Sequence, residues 1–287
     1  MVIPIQVRGV QYEAKAWLHI AHNECYIQED NIVEKRIYHY TSFEIFKLII
    51  KNKVIRFNSL MNVDDAEEGY LTDCKSQAKY FFVSCWTEDQ KENIPLWKMY
   101  VKSPFAIRIG VNPKILIPKL INRCLIENQK NRNAYVTLMH RKGNLEDNFI
   151  SKVFYEKNPY LSQSKNLRGM YDPEYINKYG LIKNEDWSFQ KEVRYIIQTV
   201  PIKSVIRRPD CSLYNSIQES IINNDFTNIE YTDMEYTQEF MENAHFMLGP
   251  STTVENKQEF ENFIYENVPN FDGEIARSRS FIRHNDI

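Results

Sequence analysis

The chain has 287 residues, 43% of them hydrophobic, enough to bury one sizeable core, and at this length one elaborated domain is expected. Its 36 basic and 38 acidic residues leave a net charge of −2, which excludes a chain-wide electrostatic pull on nucleic acid but permits a local patch. No apolar run approaches the roughly 20 residues that a membrane helix needs, and the first residues lack the pattern of a signal peptide, so a cytoplasmic protein without membrane contact is expected.

Residues 1–36 read as a lead-in packed on the core, with a strand over 2–7 and a short helix. IYHYTS (37–42) is a predicted strand ending in a Thr/Ser cap. FEIFKLIIKN follows with helical spacing of Phe43, Phe46, Ile49 and Ile50. VIRFNS (54–59) returns as a short strand. Asp64 with Glu67 three residues on has the form of a capping box, so a helix is predicted to start there. YFFVSCW (80–86) is aromatic and β-branched, as strands are. Ile94–Val101 is a predicted helix with Pro95 in its first turn.

FAIRIGV (105–111) alternates as a half-buried strand, and a turn and helix are expected in the VNPKILIPKLIN that begins at 111. Strands are predicted at 135–140 and 152–155. The polar stretch 157–186 reads as a long connection. WSFQKEVRYIIQTV (187–200) is a predicted strand, followed by two weaker helices, a strand ending at FMLGPST (246–252) and an amphipathic helix over 254–268. Residues 37–268 form the expected domain. Residues 269–287, with Arg277, Arg279 and Arg283, read as a solvated tail. Strands and helices alternate irregularly, which favours α+β with a mixed or antiparallel sheet and flanking helices over a doubly wound fold.

The chemistry-bearing candidates are few. The five cysteines are scattered, with no C-x-x-C pair, so neither a disulfide framework nor a zinc site is expected. With no glycine-loop motif and only 8 glycines, any nucleotide must be bound in another way. Glu192 and Arg194 share a strand face, so the carboxylate stays ionised beside the guanidinium; the plainer reading is a pair of little consequence. Tyr38-His39-Tyr40-Thr41-Ser42 ends a strand before a helix, where polar groups can face a ligand, or where a Ser/Thr simply caps the helix and the His is satisfied by backbone. Trp97 and Tyr100 share a helix face and, with Trp86, could stack on a flat ring or belong to the core. The acidic run Asp64, Asp65, Glu67, Glu68 could hold Mg²⁺ with Glu192, although Arg194 stands where a catalytic Lys would be expected.

Five blocks in order, RFNSLMNVDDAEEGY (56–70), FFVSCWTE (81–88), LWKMYV (96–101), WSFQKEVRYII (187–197) and FMLGPSTT (246–253), resemble a bacterial family of uncharacterised proteins. The resemblance spans residues 37 to about 265. The family pattern F-N-[SD]-[PL]-x-N-[VD]-D-D-x-x-E and a late W-x-x-E-x-E-x-R strand carry it. One departure stands out: Gln190 replaces the first of two Glu, leaving Glu192 as the single carboxylate there. That family in turn is similar, distantly, to ADP-ribosyltransferases of the His–Tyr–Glu type.

The resemblance implies a split-sheet fold of that type, NAD as co-substrate and Glu192 as the catalytic carboxylate. It implies His39 on a ribose and Tyr100 or Trp97, with Trp86 a third option, on the nicotinamide. Tyr38, Thr41, Asn58 and Ser84 join the implied cofactor contacts, with Arg194, Arg56 or Lys191 for the pyrophosphate. It further implies a toxin or anti-phage effector that modifies a protein or nucleic acid and is held in check by an antitoxin or immunity protein. Cleaving the nicotinamide–ribose bond develops positive charge on the sugar, which a fixed carboxylate stabilises. The alternatives are a non-catalytic ligand- or partner-binding module on the same fold and a metal-dependent nuclease using the acidic run.

Overall fold

The computed structural model describes residues 2–7, 10–15, 35–65, 68, 77–113, 134–138, 150–157, 180–201, 223 and 230–280. Strands β1 (Val2–Val7) and β2 (Val10–Lys15) pair antiparallel as a sheet of their own; the short helix expected in the lead-in has only residues 16–34 left to it, which lie outside the described residues. β3 (Ile37–Ser42) runs directly into α1 (Phe43–Asn52), because the Ser42 hydroxyl accepts the Ile45 N–H and caps the helix. Lys53 in the left-handed region ends α1, and β4 (Val54–Ser59) follows.

A single 3-10 turn at Leu60–Asn62, capped by Ser59, leads out of β4, and the helix expected from Asp64 falls largely on residues outside the described ones. Residues 66–67 and 69–76 lie outside the described residues. After a 3-10 turn at Gln77–Tyr80 come β5 (Phe81–Thr87), α2 (Ile94–Tyr100), capped by Asn93, and β6 (Ala106–Val111). β7 (Ala134–Leu138), β8 (Ile150–Lys152), β9 (Phe154–Glu156) and β10 (Ile182–Asn184) are short. The helix expected after 111 and the two expected after 201 lie outside the described residues.

The predicted strand 187–200 begins later than its aromatics suggest. Asn184 accepts the Asp186 N–H and starts a 3-10 turn, Glu185–Gln190, and Lys191 at φ 43° turns the chain into β11 (Glu192–Pro201). β12 (Tyr231–Glu235), α3 (Glu239–Glu242), β13 (His245–Leu248) and α4 (Val254–Asn267) follow. Part of the expected tail is ordered structure: β14 (Glu274–Arg277) pairs parallel with β13.

Among the described residues the fold is α+β, with one largely antiparallel ten-stranded sheet in the order β12-β4-β5-β3-β6-β13-β14, with β11 beside β5 and with β7 and β8 paired to β11. β11 occupies the length of one β5 edge, from Glu192↔Thr87 to Gln198↔Phe81. β4 and β3 therefore share the other edge, β4 at Val83 and Phe82 and β3 at Thr87 alone. Between them the sheet splits.

The registers also sort the side chains onto two faces. One face carries Ile37, Phe57, Phe82, Trp86, Ile107, Ile109, Val193, Tyr195 and Ile197, covered by Phe43 and Phe46 of α1 and Phe260 and Ile264 of α4 in the main core. Each such buried side chain contributes about 1.5–3 kcal/mol. The opposite face carries two smaller clusters, one around Phe81, Val83 and Ile196, the other where α2 sets Leu96 and Trp97 on Tyr40 and Ala106. The candidate site lies on this second face. Among the described residues no helix is long and apolar enough to cross a membrane.

Candidate functional site

Glu192 and Arg194, two apart on β11, point to the second face together with their cross-strand partners Thr87 and Cys85. Arg194 is fully buried, and all five of its N–H groups are used. Nε and Nη2 donate to Glu192 at 2.7 and 3.0 Å, Nη2 and Nη1 to Glu68 at 2.9 and 2.5 Å, and Nη1 to the Gly180 carbonyl at 2.7 Å. Lys183 from β10, 2% exposed, reaches Glu192 at 3.1 Å, Glu68 at 3.2 Å and the Gln190 side-chain oxygen at 2.9 Å. Two carboxylates and two cations thus close a neutral, buried ring. Taking such charges out of water is tolerated only because every donor has an acceptor.

Glu192 is held ionised. Burial pushes its pKa up, but Arg194 and then Lys183 more than offset this and hold it at about 2. The backbone N–H of Glu192 donates to the Tyr155 hydroxyl at 2.8 Å. The Cys85 thiol hydrogen-bonds the same carboxylate, and its pKa is raised, first by burial and then by Glu192; this is an inert thiol.

A polar chain leads from this ring to α2. The Gln190 amide, which accepts from Lys183, donates to the Tyr100 hydroxyl at 2.7 Å. Tyr100 is 42% exposed, and its pKa is raised by burial of the hydroxyl and by a hydrogen bond to Asp64. The ring of Trp187 lies against Lys183, with Nζ 4.6 Å from its centroid, and stacks at 27° on Phe189. Gln190 both accepts and donates here, which a carboxylate at that position cannot do.

The expected site residues divide between the faces. Tyr100 is brought to Glu192 through Gln190. Trp97 lies on the same face but is buried, edge-on to Tyr40 at 4.6 Å with its N–H on Glu92. Trp86 and Ser84 face the other way: Trp86 Nε1 donates to the Ser84 hydroxyl at 3.0 Å, and the indole packs against Tyr195 and Phe240 in the main core.

Tyr38↔Thr87 sets His39 on that core face too, where its ring lies 5.2 Å from Trp86. His39 Nδ1 meets the Cys85 carbonyl at 3.0 Å, so it carries the hydrogen and replaces a ladder bond where the sheet splits. Burial lowers the His39 pKa, which keeps the ring neutral. Thr41, opposite Ile107, is buried on the same side as His39. Asn58 is exposed on β4. Arg56 forks onto Asp233 at 2.8 and 3.0 Å over the Tyr231 ring, and Lys191 pairs with Asp89 at 3.2 Å.

Of the acidic run, Glu68 is bound by Arg194 and Lys183, and Asp64 is bonded to Tyr100. Among the described residues no group of three His, Cys, Asp or Glu is placed to hold a metal ion. Glu68 was set beside Glu192 only as a metal ligand of the acidic run, whereas it is bound by the two cations, and Lys183 was not expected there at all. Glu68 had a signal, since it is the final Glu of the D-D-x-x-E block; Lys183, in a polar connection, had none.

Arg108 was also missed. It stands at the centre of the apolar β6, 3% exposed, opposite Tyr40 and stacked 3.5 Å from the centre of the Tyr38 ring. Gly110 makes this stack possible, because a Cβ there would lie 2.6 Å from Tyr38 Cε1. No protein-family model, no curated protein and no solved structure matches the chain.

Proposed function

We propose that this protein works by binding, as a non-catalytic ligand- or partner-binding module on a split sheet of the ADP-ribosyltransferase kind, with the ligand face on the Tyr100 side. The observation that carries this reading is the closure of the ring: both oxygens of Glu192 are engaged by Arg194 and Lys183, and the residue is only 7% exposed. A carboxylate neutralised by two cations exerts little field on a neighbouring sugar cation, whereas the transferase mechanism depends on that field. The four charges instead tie β10, β11 and the Glu68 segment together behind the open face. The test is incubation of the pure protein with labelled NAD and bacterial lysate. The expected result is no nicotinamide release; release that vanishes in a folded Glu192→Gln variant overturns the reading.

One observation favours a second reading, an NAD-dependent ADP-ribosyltransferase acting on a protein or nucleic acid as a toxin or anti-phage effector. The half-exposed Tyr100 ring is joined to the Glu192 ring by Gln190 and Lys183, which brings the aromatic helix and the late-strand carboxylate of the resemblance to one place. In that reading Tyr100 stacks on nicotinamide, and Lys183 or Arg194 must release Glu192 as positive charge develops on the ribose. Label transferred to a lysate macromolecule is its signature.

A further inference from the structure

We infer that Arg108 is an oxyanion-binding residue of the second face, taking a phosphate or carboxylate group of a ligand on the edge formed by its Nε and Nη2. Three arginines of the fold show the contrast. At Arg194 and Arg56 this same Nε–Nη2 edge grips both oxygens of one carboxylate, Glu192 and Asp233. At Arg108 the edge is half used: Nη2 donates to the carbonyls of Asp89 and Lys91 at 2.5 and 3.2 Å, and among the described residues the buried Nε has no hydrogen-bond partner. Among the described residues no carboxylate pairs with this guanidinium, although it is 3% exposed.

A buried cation without a counter-ion and with an orphaned donor is rare in native proteins and calls for a specific explanation. A bidentate oxyanion supplies both missing elements at once, the negative charge and the second oxygen of the fork. The surroundings fit. The Tyr38 ring beneath the guanidinium holds it flat, at 3.5 Å, and Tyr38 is itself tied to Gln90 at 3.0 Å. The neighbouring carboxylates are engaged elsewhere, Asp89 by Lys191 and Glu92 by the Trp97 and Ser278 side chains. The longer of the two carbonyl bonds, to Lys91, belongs to an exposed residue of the turn over Arg108. Displacing that carbonyl opens the edge.

The inference names a ligand class for the binding reading and rests on it only in treating this face as the ligand face. Inorganic pyrophosphate is the probe, because it has no glycosidic bond and its binding is independent of any NAD turnover; citrate is the carboxylate arm. Calorimetric titration of the full chain is expected to show binding of at least one of the two, with the dissociation constant raised about ten-fold or more in Arg108→Lys, which keeps the charge but loses the fork. The tighter arm identifies the oxyanion. In the wild-type protein, where no folding defect intervenes, the Arg108 Nε–H resonance is expected to shift on saturation.

Binding of neither anion, binding unchanged in Arg108→Lys, or an unmoved Nε–H signal overturns the inference and leaves Arg108 as a clamp on the 89–91 turn. Nicotinamide release from NAD with intact Arg108-dependent pyrophosphate binding overturns the non-catalytic reading alone.

Discussion

Arg194 grips Glu192, two residues before it, and Glu68, 126 residues before it, with a single guanidinium. Lys183 bridges the same two carboxylates from the other side, so the four charges stand or fall together. Glu192→Gln leaves one buried cation uncompensated and is expected to cost about 3–5 kcal/mol. Adding Lys183→Met restores neutrality, and the double variant should lose clearly less than the sum of the two single losses. Urea unfolding of the four proteins measures this, and simple additivity contradicts a closed ring.

Acid should weaken the fold through the same ring. Glu192 titrates at about 2 in the folded protein against an ordinary 4.5. Between those values the unfolded chain binds more protons, so its contribution is complete above pH 4.5 and is lost as pH falls towards 2. His39, lowered from 6.5 by burial, has the same sign and adds a decline that begins below pH 6.5. The urea midpoint is therefore expected to fall on acidification, with a shallower fall below pH 4.5 in Glu192→Gln. Parallel profiles for the two proteins rule out the assignment.

Lys191 stands at φ 43° immediately before Glu192, a conformation that costs an L-residue about 1–2 kcal/mol. Its ion pair with Asp89 is half in solvent and adds little. Lys191→Gly should stay within about 0.5 kcal/mol of the wild type, because relief of strain offsets the entropy of glycine. Lys191→Val should lose about 1–2 kcal/mol, since branching at Cβ aggravates the strain. Equal melting temperatures for the two variants argue against a left-handed turn.

Gly110→Ala would set a methyl group 2.6 Å from Tyr38 Cε1 and 3.1 Å from the His245 carbonyl. The Tyr38 ring must lift, and Arg108 loses the surface that holds it. A loss of about 1–3 kcal/mol is expected, with a change in the Arg108 Nε–H resonance. A silent substitution means that the ring does not lie across the strand.

The sequence alone determined the elements whose causes are local. β3, α1 and β4 follow from an alternating strand, a Ser42 cap and apolar spacing within some twenty residues, and α2 and α4 rest on Asn93 and Thr253 caps in the same way. Where two local signals competed, the weaker-looking one won. Trp187 and Phe189 suggest a strand, yet the Asn184 cap and left-handed Lys191 hold a 3-10 turn.

The partition of the candidate site was decided only in three dimensions. Whether Trp86 and His39 share a face with Glu192 depends on Glu192 standing opposite Thr87; a slip of one residue would reverse every assignment. No pattern within β10 marks Lys183 as the partner of Glu68 and Glu192, because the demand for that cation arises only when strands distant in sequence bury two carboxylates side by side. Local periodicity sets which residues can share a side of a strand, but the pairing of strands sets which sides meet, and buried charge forces those meetings to be neutral.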